Sequence, residues 1–323
     1  MATAKNKVDA EKQPAAPEKR FAWQFPIVKL RYWWFALSLL VIIPGIISLA
    51  LHGLNLGIDF LGGSMIDVTF NQPVHQAQIT AALDAAGFPG SQVQIFLDNP
   101  KRALIRTKAL DQQDHDKFLN ALEQKVGTFD RTNLKEDQVS PTIGRELTTS
   151  AVYALLIAFA GMILYLTIRF EFRFGISAVA AIFHDVLVVL GLFSIFRWEI
   201  DSSFVAAILT VVGYSINDTV VIFDRIRENQ EKLKRGDSYE EMVEKSVWQT
   251  MARSINTVLT VLITLFAIYL LGGTSTKVFA LAMLIGVFSG AYSSIFNASQ
   301  ILVELKNWQA RRVKTAKLSK SRA

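Results

Sequence analysis

The 323-residue sequence contains no cysteine, which excludes disulfides, thiolate nucleophiles and cysteine-ligated metals. Its four histidines are scattered without metal-ligand spacing, so no metal site is expected. No Gly-Lys pair occurs, and "GGTSTK" from Gly272 to Lys277 lacks the order of a phosphate-binding loop; nothing here binds ATP by a recognisable motif. No nucleophile and base fall at a usable place, so the chain is not expected to be an enzyme or to carry a cofactor. Of the two matches to the glycosylation pattern, "NDT" and "NAS", both lie in apolar runs and are discarded.

What is abundant is hydrophobic sequence, 51% of the chain, and it is gathered into six runs. They are Trp33–Leu51, Thr149–Ile168, Ile176–Ile195, Phe204–Phe223, Ile255–Leu271 and Val278–Leu302. Each has about the length needed to cross a bilayer's hydrocarbon core. The first follows a basic segment and ends near "SLA", a weak cleavage pattern, but five further spans favour an uncleaved helix.

The net charge of +6 raises the question of nucleic acid, and its distribution answers it. Residues 52–148 hold 9 Lys+Arg against 12 Asp+Glu, so the basic excess lies beside the spans. No nucleic-acid partner is expected. Seven Lys/Arg precede the first span, seven separate spans four and five, and seven follow span six, whereas the opposite short loops hold only Arg197 and Lys277. By the positive-inside rule both termini are cytoplasmic and the long 52–148 segment is external.

The expected organisation follows. Residues 1–32 comprise a disordered tail and an aromatic interfacial segment, "FAWQFPIVKLRYWWF" running on into the first helix at 33–51. Residues 52–148 form an external α+β domain, 149–302 carry helices two to six, and 303–323 are a basic tail. In the external segment Ile66, Val68 and Phe70 alternate onto one face, as do Val93, Ile95 and Leu97. Helices are expected at Gln76–Ala86 and around Phe118, Leu119, Leu122 and Val126, with a last strand approaching Val139. The resulting β-α-β-β-α-β order is ferredoxin-like.

Ionisable residues inside spans are costly and are usually paired, water-facing or functional. His184 and Asp185 lie near the centre of the third span, and Asn217 with Asp218 lies in the fourth. Val211, Ser215, Asp218 and Ile222 share one helix face, placing a hydroxyl one turn before the acid. Burial and a nearby cation pull a carboxylate's proton affinity in opposite directions, so a small rearrangement suits such a group to taking up and releasing a proton; a purely structural acid is the competing reading. Asp224, Arg225, Arg227 and Glu228 follow the span and read as ion pairs on a helical continuation. Arg253 opens the fifth helix, followed by Thr257, Thr260 and Thr264. Ala282, Gly286, Gly290 and Ser294 recur every fourth residue, a close-packing seam within the chain or toward a second subunit.

"LNLGIDFLGGSMIDVTF", "QVSPTIGREL", "AIFHDV" and "VVGYSINDTVVIFDRIREN" together resemble the SecD/SecF family, specifically its SecF branch, over nearly the whole chain after the tail. The matching motif residues are Gly57, Asp59, Phe60, Gly62 and Gly63, then Asp224, Arg225, Arg227, Glu228 and Asn229. The resemblance implies an accessory subunit of the bacterial Sec translocase in the inner membrane. Working with SecD, it would use the proton-motive force to promote export, within the resistance-nodulation-cell division superfamily. Implied partners are SecD, the SecYEG channel, YajC or YidC, unfolded exported polypeptides and protons. It places the proton-coupling acid at Asp218 with Asn217 beside it and the partner arginine at Arg253, and it matches His184 and Asp185 without deciding between proton carriage and packing. Two other readings stand beside it: a half-transporter for small molecules or lipids, and a non-energised scaffold of the translocase.

Overall fold

The structure, a computed structural model, describes residues 25–96, 99–234 and 236–320. The tail expected over residues 1–20 and the strand residue Leu97 lie outside these. Along the chain, helix α1 (Arg31–His52) leads through β1 (Asn55–Leu56) and the short α2 (Ile58–Leu61) into a small domain. That domain contains β2 (Gly63–Thr69), α3 (Gln76–Ala85), β3 (Gln92–Ile95), β4 (Arg102–Thr107), α4 (Gln112–Lys125) and β5 (Lys135–Val139). Then follow α5 (Pro141–Arg169), α6 (Phe172–Ile195), β6 (Glu199–Ile200), α7 (Ser202–Glu231), α8 (Tyr239–Leu271), α9 (Thr274–Ser293), a π-helical turn over Ser294–Ala298 and α10 (Ser299–Lys320). Six helical stretches among the described residues are long and apolar enough to cross a membrane: α1, α5, α6, α7, α8 and the run from α9 into α10.

The small domain is a four-stranded antiparallel sheet in the order β3-β4-β2-β5, the ferredoxin-like arrangement, backed by α3 and α4. Alternation along β2 sends Ile66 and Val68 inward, where they meet Ile79 and Leu83 of α3 and Phe118 and Leu122 of α4. Phe88 and Phe118 meet edge to face at 5.3 Å. The helices begin where side chains take up orphan N–H groups: Asp111 accepts from Asp114 N at 2.7 Å to start α4, and Ser140, followed by Pro141, starts α5. Helix α5 therefore begins eight residues before the apolar run, because a cap and not hydropathy sets its first residue.

In the bundle, small residues permit backbone contact. Gly45 of α1 and Gly191 of α6 lie back to back, and a Cβ built on either would fall 2.8 Å from the other's Cα. Gly286 of α9 receives the side chain of Val211 from α7, and one turn on, a Cβ at Gly290 would lie 3.1 Å from Ser215 Cβ. The seam of the sixth span is thus filled from within the chain by α7 and is not left for a second subunit. A second departure concerns the aromatic segment before α1. Tyr32 and Trp33 are exposed, but Ile27 and Val28 are buried and their N–H groups donate to the Glu244 carboxylate of α8 at 2.8 and 2.7 Å. That segment is anchored to the bundle through a half-buried acid, not merely laid on its surface.

Candidate functional site

Three clusters of polar residues lie along α6 and α7. The first joins the small domain to the bundle. The Gly57 N–H donates to Ile200 O at 2.8 Å, and β1 pairs in parallel with β6 just ahead of α7. Asp59 Oδ2 accepts the Ser202 N–H at 2.7 Å, while Asp201 accepts the Phe204 N–H at 3.0 Å, so two carboxylates cap the start of α7. Phe60 is buried beneath the turn. Gly62 and Gly63 have φ of 75° and 135°, and a Cβ at Gly62 would lie 2.7 Å from Pro141 Cα; only glycine fits where this turn crosses the start of α5. Arg106 of β4 pairs with Glu199 of β6. Burial lowers the proton affinity of the Arg106 guanidinium, partly offset by Asp201, and burial together with the charge of Asp59 raises that of Asp201 against its own hydrogen bonds.

The second cluster is inside the bundle. Asp185, 1% exposed, accepts four hydrogen bonds: from His184 Nδ1 at 2.9 Å and Ser289 Oγ at 2.7 Å on one oxygen, and from Ser215 Oγ at 2.6 Å and Ser293 Oγ at 2.8 Å on the other. Four donors occupy both oxygens of this carboxylate. With Nδ1–H donated to Asp185, His184 Nε2 is the acceptor for Ser38 Oγ at 3.0 Å, and Ser38 in turn accepts from Asn297 Nδ2 at 2.9 Å. Helices α1, α6, α7 and α9 and the π-helical turn are tied by this one network. The Ser215 hydroxyl thus faces Asp185; expected as a neighbour of Asp218, it turns to α6 instead.

Asp218 forms the third cluster, and it contrasts with Asp185. Ser254 Oγ of α8 donates to its Oδ1 at 2.6 Å, whereas the buried Oδ2 has no hydrogen-bond partner among the described residues. The buried hydroxyl of Tyr214, one turn earlier, also has none. Asn217 is exposed on the outer side of α7. Arg253 sits next to Ser254 and is exposed, forming no salt bridge to Asp218, and Thr257, Thr260 and Thr264 beyond it are exposed with hydroxyls bonded to their own helix backbone.

Past the span, Arg225 pairs with Glu228 at 2.6 Å and Arg227 with Asp224 at 3.3 Å. Asp224 also receives Arg169 of α5 at 3.1 Å, and Asn229 reaches Ser246 and Gln249 of α8 at 2.8 Å. The charged motif therefore braces α7 against α5 and α8. Among the described residues no group of histidines and carboxylates has the arrangement of a metal site.

The family model described as the C-terminal part of the protein export membrane protein SecD/SecF matches residues 119–308, and the SecD/SecF GG motif matches 47–74. The chain belongs to the SecD/SecF family. The protein translocase subunit SecF of Thermobaculum terrenum is 43% identical over 87% of this chain and 94% of its own length, and that of Alicyclobacillus acidocaldarius is 40% identical over 91% and 96%. The crystal structure of SecDF, a translocon-associated membrane protein from Thermus thermophilus, superposes with a TM-score of 0.79 at 34% identity over 88% of this chain. This SecF-branch chain spans 39% of the length of that one. The glycine motif of the family is the same turn that caps α7 and crosses α5.

Sequence patterns missed Ser38, Ser254, Ser289, Ser293 and Asn297 because isolated serines and asparagines are common in membrane helices and their partners lie on other helices. Of these only Ser293, next to Ser294 of the small-residue seam, carried a signal. The link from Arg106 to Glu199 joins residues with no sequence pattern in common.

Proposed function

We propose that this chain is the SecF subunit of a bacterial protein translocase, multi-pass in the inner membrane with both termini cytoplasmic. Paired with SecD, it uses the proton-motive force to promote export. The observation that carries this reading is the half-satisfied Asp218, a buried carboxylate oxygen without a donor inside a span, one helix away from a carboxylate that is fully satisfied. Asp218 takes up and releases the proton; Asp185 acts as a structural tie, with His184 fixed against it. Arg253, exposed near Asp218, tunes that site, and Asn217 lies at its outer edge.

A face of small and polar residues supports a SecD half. Thr210, Gly213 and Asn217 of α7 and Arg253, Thr257, Thr260 and Thr264 of α8 are exposed, where lipid would leave them poorly accommodated. A second half-transporter laid there encloses Asp218 between the two. SecYEG, YajC or YidC and the exported polypeptide enter through the family resemblance and act around this pair. Moving one charge through 100 mV is worth about 2.3 kcal/mol, about a fifty-fold bias on a two-state motion. The cap of Asp59 on Ser202 carries a shift of α7 to the small domain.

The test is export of a Sec-dependent precursor into energised inner-membrane vesicles, comparing wild type with Asp218→Asn at equal protein level and equal SecD association. Loss of the proton-dependent increment with ATP-driven initiation intact is the expected result. Normal proton-stimulated export in the variant overturns the coupling role and leaves the scaffold reading.

A further inference from the structure

A cavity of about 840 Å³ opens between α1, α6, α8 and α9, and no part of the coupling scheme uses it. Its size falls within the range of small-molecule sites. It is polar at one end only, where Ser38, His184 and Tyr292 line it. From there it runs toward the small domain past Val188, Leu192 and Leu284, and Leu192 lies two turns beyond His184, about 12 Å along the helix. No Lys, Arg, Asp or Glu lines it. Its rim is apolar and outward-facing: Ile263, Phe266 and Phe288 are 62%, 54% and 68% exposed. At about 100° per residue, Leu262 and Phe266 lie on the side of α8 opposite Thr257, Thr260 and Thr264, with Ile263 at the edge between the two faces. The mouth therefore faces away from the polar stripe and toward hydrocarbon.

The polar end can exchange partners. Ser38 Oγ bonds His184 Nε2 at 3.0 Å but also lies 3.3 Å from Asn297 Oδ1, so its hydroxyl has a second acceptor. A ligand hydroxyl that donates to His184 Nε2 releases Ser38 to Asn297, so the Ser38 hydroxyl keeps an acceptor. A charged head is excluded, since no opposite charge is present to offset its burial. We propose that this cavity binds a neutral single-chain lipid taken from the bilayer, a fatty acid in its protonated form or a fatty alcohol, with its hydroxyl on His184 and Ser38 and its chain along Val188 and Leu192. Because Ser289 and His184 both bond Asp185, the occupant sits directly against the network that joins α6 to α9.

The test is photolabelling of the full chain, in membranes with SecD, by a palmitic acid analogue carrying a diazirine and an alkyne. Labelled peptides from α8 and α9 at the cavity are expected. Excess palmitic acid or hexadecanol should compete, and a phosphatidylcholine carrying the same diazirine chain should not label the site preferentially. Ile263→Trp, on the exposed rim where folding is undisturbed, and Val188→Trp, which fills the floor, should each lower labelling about tenfold. Labelling that is unchanged in Ile263→Trp, or no greater than at Ile157 on the outer face of α5, overturns the proposal. So does equal labelling by the phospholipid, or a photoreactive residue at position 288 that crosslinks to another polypeptide.

Discussion

The Asp59 carboxylate accepts the backbone N–H of Ser202 at 2.7 Å, so a residue of the glycine-rich turn caps the helix that carries Asp218. The link is short and directional. Whatever moves α7 along its axis must move the turn, and through Gly63 and β2 the sheet of the small domain.

Removing that cap by Asp59→Ala should weaken the start of α7 by about 1 kcal/mol, while Asp59→Asn, which keeps an acceptor oxygen, should lose much less. Amide hydrogen exchange at Ser202 and its neighbours measures it. Exchange should quicken in the alanine variant and stay near wild type in the asparagine variant.

The two intramembrane carboxylates should differ sharply in what substitution costs. Asp185→Ala strands three serine hydroxyls and His184 in the bundle and should destabilise it by about 2–4 kcal/mol. Asp218→Asn removes little, because its amide oxygen still accepts from Ser254, and should change stability by less than about 1 kcal/mol. Thermal unfolding of the two variants in detergent, read by the loss of folded monomer, separates them.

Gly286→Ala should destabilise the bundle through collision with Val211, and Val211→Ala in the same chain should recover part of the loss. A coupling of about 0.5–3 kcal/mol is expected from the double-mutant cycle. Additive losses would mean that α7 and α9 do not meet at these positions.

Asp201 gives a pH dependence with a definite sign. Burial raises its proton affinity in the folded chain, so its contribution to stability is present at low pH and is lost as pH rises through the folded value. The charged groups acting with it are Asp59 and Arg106. Asp201→Asn keeps the capping oxygen but cannot ionise, so the variant should gain on wild type as pH rises from about 4 to about 8. Melting curves of both proteins across that range read the crossover, and parallel curves would refute it.

Much of this architecture was legible in the amino-acid order because its causes are local. Long apolar runs need a bilayer, alternation at Ile66, Val68 and Phe70 needs a half-buried strand, and Gly62 and Gly63 need a turn that other residues resist. The ion pairs from Asp224 to Glu228 were legible for the same reason, since partners one turn apart share a helix face.

What tertiary structure alone decided is which of two similar acids is satisfied. Asp185 and Asp218 both sit in apolar helices beside polar neighbours, and nothing in their spacing distinguishes them. The donors that do so come from α7, α8 and α9: Ser215, Ser289 and Ser293 close on Asp185, while Ser254 alone reaches Asp218. Hydrogen bonding acts over about 3 Å, and only packing brings residues so far apart in the chain within that distance.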